Sequence, residues 1–372
     1  MRDEKRVEKK EEKGLNAQIF PTIVDIRVVG NYCNMKCRYC VYYDRNQDER
    51  TIMDLKVFEK FTREFLNLPS KAFTFIFYGG EPLLAGIDFF EAAMEIQEKH
   101  RKKGQKIINC VQTNGTLINE KWAEFFKKYN FRVGVSLDGT KEIHDKFRVF
   151  KNGQGSFDYV IQGLQVLQNW KVEFGIMQTI TKETLEKALE VFRFFTEELR
   201  IKNWAFQPYW DFREKKRPFY GVNNEEFIKI FKTYFRHWIE KDDFNFRIRE
   251  IDDLVGAVLI PPVLKTCDFG GRCGKNVCLD YDGKLYLCSH GAGEQTLLIG
   301  DILKQNLREI FEGKKWKKLL QQISTLSNEC KGCKWKTVCG NGCVLQRKNG
   351  KYYYCPTRKK LLNYVSKIVD LD

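Results

Sequence analysis

No stretch of the 372 residues stays apolar for the length that a membrane-spanning helix needs. The opening residues, Met1 to Lys13, are almost all charged and lack the apolar segment of a secretory signal. No internal repeat runs through the chain beyond a rough similarity among its cysteine groupings. These absences exclude an integral membrane protein and a secreted one. A cytoplasmic protein is expected, with a charged, flexible lead over residues 1–20. In that reducing compartment the 13 cysteines do not read as a disulfide framework. They point to metal or redox chemistry.

Lys and Arg number 64 against 49 Asp and Glu, a formal net charge of +15. The basic residues are scattered along helical faces with acidic ones interleaved, so they read as a solvated surface and not as a nucleic-acid site. Hydrophobic residues make up 43 % of the chain, enough for a sizeable core.

From residue 22 a rhythm of short apolar runs and amphipathic stretches begins. Strands are expected at Ile23–Val29, Phe73–Tyr78, Ile107–Gln112, Phe131–Leu137, Val172–Ile180 and Asn203–Tyr209. Helices are expected at Leu55–Leu66, Asp88–Lys102, Asn119–Lys128, Phe157–Trp170, Glu183–Leu199 and Asn224–Glu240. Six β-α units imply an α/β fold with a parallel sheet wrapped by helices, too few for a closed eight-fold barrel. A partial barrel over 21–245 is the natural architecture. A linker at 246–266 leads to a Cys-rich domain at 267–360, where nine of the thirteen cysteines fall between 267 and 355, and a C-terminal helix at 361–372 closes the chain.

The chemistry-bearing motifs follow strand C-termini, the edge that carries active sites in parallel α/β folds. Cys33-Asn-Met-Lys-Cys37-Arg-Tyr-Cys40 places three thiols within eight residues after the first strand and no fourth nearby. Three soft ligands can hold three irons of a [4Fe–4S] cube and leave the fourth iron open for chemistry. Tyr78-Gly79-Gly80-Glu81-Pro82 follows the second strand; its glycines let backbone approach a ligand closely, and its carbonyls can accept from an ammonium group. Thr113-Asn114-Gly115 ends the third. Ser136-Leu137-Asp138-Gly139 ends the fourth, where Ser and Asp can bond ribose hydroxyls, with His144, Asp145 and Arg148 close behind. An arginine there can pair with a carboxylate. Downstream, Cys330-x2-Cys333-x5-Cys339-x3-Cys343 is followed by Cys355 and preceded by Cys267, Cys273, Cys278 and Cys288. Zinc sites are the competing reading of the same thiols.

Taken together, CNMKCRYC, YGGEP, SLDG with HDKFR, and the later cysteines resemble the radical S-adenosylmethionine (SAM) enzymes with a C-terminal SPASM domain, over about residues 22–360. The resemblance implies a partial (β/α)6 TIM-like barrel and a [4Fe–4S] cluster on Cys33, Cys37 and Cys40. It implies SAM chelating the open iron and yielding, on reductive cleavage, a 5′-deoxyadenosyl radical that takes a substrate hydrogen. Tyr39 matches the adenine-contacting position, Gly79, Gly80, Glu81 and Pro82 the loop at the methionyl amino group, and Ser136 and Asp138 the ribose side. Arg148 is a carboxylate partner, and Asn114 joins the cofactor-binding set. Two auxiliary [4Fe–4S] clusters follow by position: Cys267, Cys273, Cys288 and Cys343 on the first, and Cys330, Cys333, Cys339 and Cys355 on the second. Cys278 is an alternative to Cys273; otherwise Cys278 and Cys110 read as small buried hydrophobes.

The subfamily nearest in size and cysteine spacing is the anaerobic sulfatase-maturating enzymes, which oxidise Cys or Ser of a protein to formylglycine. There an Asp directly follows the cysteine matching Cys288 and serves as base. Here Ser289 and His290 follow. Serine is a poor base, which leaves His290 as the candidate. The departure favours a peptide maturase making thioether or carbon–carbon cross-links, with formylglycine formation as the alternative. A non-catalytic iron–sulfur or zinc scaffold is the reading of another class. The expected partners are a peptide or protein substrate and an external electron donor of flavodoxin or ferredoxin type. Only about 20 residues precede the first strand, so either a separate protein binds the leader or the barrel mouth takes the peptide itself. Neither nucleic acid nor membrane is expected.

Overall fold

The computed structural model describes residues 20–42, 48–210, 220–260, 266–267 and 273–369. The expected lead lies outside the described residues except for Phe20.

Six strands run parallel and in chain order: β1 (Ile23–Arg27), β2 (Ala72–Tyr78), β3 (Lys106–Thr113), β4 (Arg132–Ser136), β5 (Phe174–Ile180) and β6 (Asn203–Pro208). Helices α1 (Leu55–Phe65), α2 (Ile87–His100), α3 (Glu120–Lys128), α4 (Lys141–Phe147), α5 (Phe157–Asn169), α6 (Lys182–Arg193) and α7 (Asn224–Lys241) connect and cover them. This is the partial (β/α)6 barrel.

The first unit shows why the chain folds this way. Asp54 caps α1 by accepting from the Lys56 amide, and Val57, Phe58, Phe61 and Phe65 bury one helical face. On β2 the alternate residues Phe73, Phe75 and Phe77 are fully buried. Phe65 meets Phe75 edge-on at 5.4 Å and Phe58 stacks on Phe77 at 6.1 Å. Each such ring contributes roughly 2–3 kcal/mol by leaving water. Alternation then turns Ile76 and Tyr78 to the concave, helix-free face. β1 pairs in register, Asp25 with Ile76 and Arg27 with Tyr78. Val24 and Ile26 therefore enter the core while Asp25 and Arg27 share the concave side.

Three features differ from the expected boundaries. The segment written as a linker contains β7 (Arg247–Ile248), which pairs with β6, and α8 (Arg249–Leu259). Its charges hide an apolar spacing at Ile248, Ile251 and Leu254, all fully buried. The last helix, α9 here (Cys355–Val369), begins at Cys355, ahead of the expected 361. It returns to the barrel, where Tyr364 packs edge-on against Phe235 of α7 at 5.6 Å. Finally, β8 (Asn276–Asp280) pairs parallel with β1, and β9 (Lys284–Tyr286) and β10 (Leu298–Asp301) follow antiparallel. The barrel sheet thus continues across residue 267 into the Cys-rich region.

Candidate active site

The three-cysteine loop leaves β1 and is fixed by the segment that follows α4. Lys36 donates to the Val149 carbonyl and Arg38 to the Phe147 carbonyl, each at 2.8 Å, and Met35 forms a bridge with Phe150. Cys33 is buried, and its sulfur accepts from the Met35 amide at 3.4 Å; the Cys40 sulfur accepts from the Tyr42 amide at 3.4 Å. Asn114 reaches the same place from the end of β3. Its amide lies 4.0 Å from the Cys33 sulfur and donates to Asn34 at 2.8 Å.

The glycine pair lets the β2 loop meet this one. Gly80 sits at φ +44°, and a Cβ there would lie 2.0 Å from the Tyr32 carbonyl oxygen. That oxygen accepts from the Glu81 amide at 2.9 Å. Gly79 is at φ +86° against the Arg27 side chain. The Glu81 carboxylate is taken up by protein donors: the Leu83 amide at 3.1 Å, the Thr113 hydroxyl at 2.7 Å and the Asn114 amide at 2.7 Å. Burial pushes its pKa up to about 7 against those bonds. Glu81 therefore ties β2 to β3 and positions Asn114. Pro82 opens the turn that follows.

Ser136 accepts from Gln112 at 3.1 Å on the concave side of β4. Asp138 is buried and fully engaged: it accepts from the Tyr39 hydroxyl, from Arg148 Nε at 3.0 Å and from the Thr179 amide at 3.0 Å. The Arg148 guanidinium lies 5.4 Å from the centre of the Tyr39 ring, which also packs against Phe147 at 5.4 Å. Burial opposes the Arg148 charge, but Asp138 outweighs it and holds the group firmly protonated. Tyr39, Asp138 and Arg148 thus form one knot between the cysteine loop and β4–β5. His144 is fully buried, bonded to Ser156 at 2.9 Å and kept neutral by burial and by Arg148; Asp145 caps α5 through the Phe157 amide at 2.9 Å.

All thirteen cysteines are free. Cys330, Cys333, Cys339 and Cys355 line one cavity, with Arg358 and Lys359 at its wall. Cys267 and Cys273 are hydrogen-bonded to each other, and Cys288 and Val344 neighbour Cys273. Arg347 lies near Cys273, Cys343, Cys330 and Cys339. Cys278 is fully buried in β8 against Tyr286 and Ala292, with Cys288 nearby, and Cys110 is half-buried on β3. Burial pushes Cys37 and Cys288 up to about 12 and Cys33 well above the usual thiol range. Such thiols ligate once a cation offsets the burial cost. The donor set suits iron–sulfur clusters: soft sulfurs spread around cavities, with backbone amides directed at them, as His290 and Gly291 are at Cys288.

The Radical SAM superfamily model matches residues 28–195, and the SPASM iron–sulfur cluster-binding domain model matches 267–334. The cysteine-type anaerobic sulfatase-maturating enzyme of Clostridium perfringens is 33 % identical over 92 % of this chain and 96 % of its own length. The chain belongs to the sulfatase-maturating family of radical SAM enzymes. The serine-type enzyme of Bacteroides thetaiotaomicron is 29 % identical over 94 % of this chain and 91 % of its own. The solved structure of native anSMEcpe with bound AdoMet superposes with a TM-score of 0.85 at 32 % identity, covering 95 % of this chain and 100 % of that one. Streptococcus suis SuiB bound to S-adenosylmethionine shares the fold alone, with a TM-score of 0.69 at 16 % identity over 94 % of this chain and 80 % of that one.

This radical SAM enzyme is accordingly an oxidoreductase of peptides or proteins. The relatives favour the sulfatase-maturating alternative over the cross-linking reading that the missing Asp suggested. One sequence-based candidate is not gathered into the site: His290 is exposed on the turn after Cys288, while Ser289 beside it is buried. Sequence reasoning missed four residues. Tyr42 is buried and donates to the Ser289 carbonyl at 2.8 Å. Arg27 and Asp280 form a buried ion pair at 2.6 Å between β1 and β8. Asp25, a lone acid in an apolar strand, was the one readable signal. Among the described residues no helix is long and apolar enough to cross a membrane.

Proposed function

We propose that this enzyme oxidises a cysteine side chain of a protein substrate to formylglycine, with serine as the second substrate type. The observation that carries this reading is likeness at 33 % identity along nearly the whole of both chains to a cysteine-type maturating enzyme, against 29 % for a serine-type one. The fold also superposes on native anSMEcpe holding AdoMet and the Cp18Cys peptide, with a TM-score of 0.83 at 32 % identity over 94 % of this chain and 99 % of that one.

In this reading Cys33, Cys37 and Cys40 hold the SAM-binding [4Fe–4S] cluster. Cys267, Cys273, Cys288 and Cys343 hold one auxiliary cluster; Cys330, Cys333, Cys339 and Cys355 hold the other. Cys273 is preferred to Cys278 because of its bond to Cys267. When bound, cluster and SAM supply a radical able to remove a substrate hydrogen. The chain's own groups orient: Gly79 and Gly80 bring backbone to the SAM amino group, Asn114 faces the Cys33 sulfur, and Ser136 with the Tyr39–Asp138–Arg148 knot borders the nucleoside. The barrel mouth takes the peptide directly, without a separate leader-binding protein. The electron donor is a flavodoxin or ferredoxin, and the free cysteines suit a cytoplasmic setting.

The test is anaerobic reconstitution to about twelve irons, then incubation with Cp18Cys peptide, SAM and reductant. Mass spectrometry should show exchange of the thiol for an aldehyde, captured by a hydrazine probe. A product lacking two hydrogens with its sulfur retained would replace this reading with cross-linking.

A further inference from the structure

The even scatter of charge holds for most of the chain and fails near its end. Residues 313–369 carry 14 Lys and Arg against a single acid, Glu329, while the rest of the chain carries 50 against 48. Nearly all of the net charge of +15 is therefore confined to this one stretch. Glu329 pairs with Lys351 and Glu225 of α7 with Lys360, and among the described residues no carboxylate pairs with Lys331, Lys334 or Lys336.

Those three lysines alternate with thiols in Cys330-Lys-Gly-Cys333-Lys-Trp-Lys-Thr-Val-Cys339. The segment winds in successive turns. The Cys333 amide donates to the Cys330 carbonyl at 3.2 Å, the Lys336 amide to the Cys333 carbonyl at 3.1 Å, and the Cys339 amide to the Trp335 carbonyl at 2.9 Å. The turns leave Lys331, Lys334 and Lys336 exposed, while the thiols are half-buried. Trp335 anchors the loop. Its indole N–H donates to Asn363 of α9 at 2.9 Å, and the Lys334 ammonium lies 4.7 Å from its ring centre. Lys336, Lys351 and Lys359 line the cavity of Cys330, Cys333, Cys339 and Cys355 together with the buried Arg358. The second thiol set is thus ringed by cations on a braced loop.

A concentrated patch of one sign draws an oppositely charged surface from solution and steers its encounter. A nucleic-acid strand is the competing polyanion. Strands of that kind stack bases on free aromatic faces, whereas Trp335 has Lys334 over its ring and its N–H on Asn363. We propose that this lysine collar is the docking surface for a small acidic electron-carrier protein of flavodoxin or ferredoxin chemistry. The inference rests on the reading above that these thiols hold a cluster and that an external carrier serves the enzyme. Electron-transfer encounters are small and weak, below about 1,200 Å² of buried surface. A few rim lysines are enough for them, acting on association rate and salt dependence more than on lifetime.

The test uses the reconstituted full chain and a fluorescently labelled acidic flavodoxin, with anisotropy read in the absence of SAM and peptide. Binding should weaken at least about tenfold between about 50 and about 200 mM salt. Lys331→Glu, Lys334→Glu and Lys336→Glu together should slow association and lower the affinity at least about tenfold. The same reversal at Lys314, Lys315 and Lys317, exposed on the helix Lys314–Ser324 and not lining that cavity, should change it less than about twofold. Carbodiimide, which joins lysine directly to carboxylate, should link flavodoxin to Lys331, Lys334 or Lys336 of the wild type, mapped by mass spectrometry. If the collar variant loses iron, these cross-links decide. Links that fall elsewhere, equal flavodoxin affinity in wild type and collar variant, or an equal loss in the helix variant would overturn the assignment. A single-stranded RNA that binds more tightly than flavodoxin, and is lost on the same reversal, would overturn it in favour of a nucleic-acid surface. Binding is read without turnover, so a failure to form aldehyde strikes the formylglycine reading and leaves the docking result to stand or fall by itself.

Discussion

Replacing three glycines one at a time separates backbone strain from the contact that joins the glycine-pair loop to the start of the cysteine loop. Gly86, Gly79 and Gly80 all have positive φ, at +86°, +86° and +44°. An alanine in that region costs about 1–2 kcal/mol. At Gly86 nothing lies within 4 Å of a new Cβ, so strain is the whole effect. At Gly79 the Cβ would meet Arg27 Cγ at 2.8 Å, a side-chain atom that can yield, though its guanidinium is tied to Asp280. At Gly80 it would meet the Tyr32 carbonyl oxygen at 2.0 Å, and backbone must retreat by about 1 Å to reach ordinary contact. That oxygen accepts from the Glu81 amide at 2.9 Å, so retreat also breaks a hydrogen bond costing about 1 kcal/mol more. Gly80→Ala should therefore destabilise by about 1 kcal/mol or more beyond what Gly86→Ala costs. Its SAM affinity should fall at least about tenfold, a 1.4 kcal/mol effect. Urea unfolding and titration calorimetry with SAM on the reconstituted protein measure both. Equal effects for Gly80→Ala and Gly86→Ala would show that the two loops do not depend on close backbone approach.

Asp280→Ala strands the Arg27 charge in the interior and should cost about 3–5 kcal/mol, whereas an Arg27→Met, Asp280→Leu double variant should recover most of it, as thermal unfolding can report. Cys33→Ala should abolish SAM cleavage while Cys330→Ala spares part of it, read by 5′-deoxyadenosine release with reductant; equal loss in both would argue against separate clusters. The Glu81 carboxyl sits at about 7 when folded and 4.5 when unfolded, so the folded state binds more protons in that window and its stability falls as pH rises through it. Glu81→Gln should flatten that part of the pH–stability curve, and an unchanged difference between variant and wild type from acid to neutral pH would refute the burial argument.

The barrel was legible because its signals are local. Alternating Phe73, Phe75 and Phe77 and the spaced Phe58, Phe61 and Phe65 state the periods of strand and helix directly. The motif residues were legible because tight turns after strands leave few choices: Gly80 must be glycine where Tyr32 comes close. What escaped was set by distant chain. Ile248, Ile251 and Leu254 carry a helical spacing, but charges on either side obscured it. The roles of Glu81 and Asp138 look like ligand contacts in sequence. Their partners Thr113, Thr179 and Arg148 show carboxylates used to brace loops. His290 drew notice as the titratable neighbour of Cys288, yet the short turn there buries Ser289 and exposes the imidazole.

The continuity of the sheet gives these pieces a common cause. β8 adds to β1 in register, so Asp280 lands opposite Arg27 and Cys278 opposite Asp25. The antiparallel turn through β9 then delivers Cys288 and Ser289 to the concave face beside β1. The ion pair is buried on both sides, at 2 % and 8 % exposure, so the register is costly to shift: a slip by one residue would bury both charges unpaired. The start of the Cys-rich region is thereby fixed relative to β1 by one strand pairing. A tethered separate domain would leave that distance to a linker. Here it is set by the hydrogen-bonded ladder between neighbouring strands about 5 Å apart.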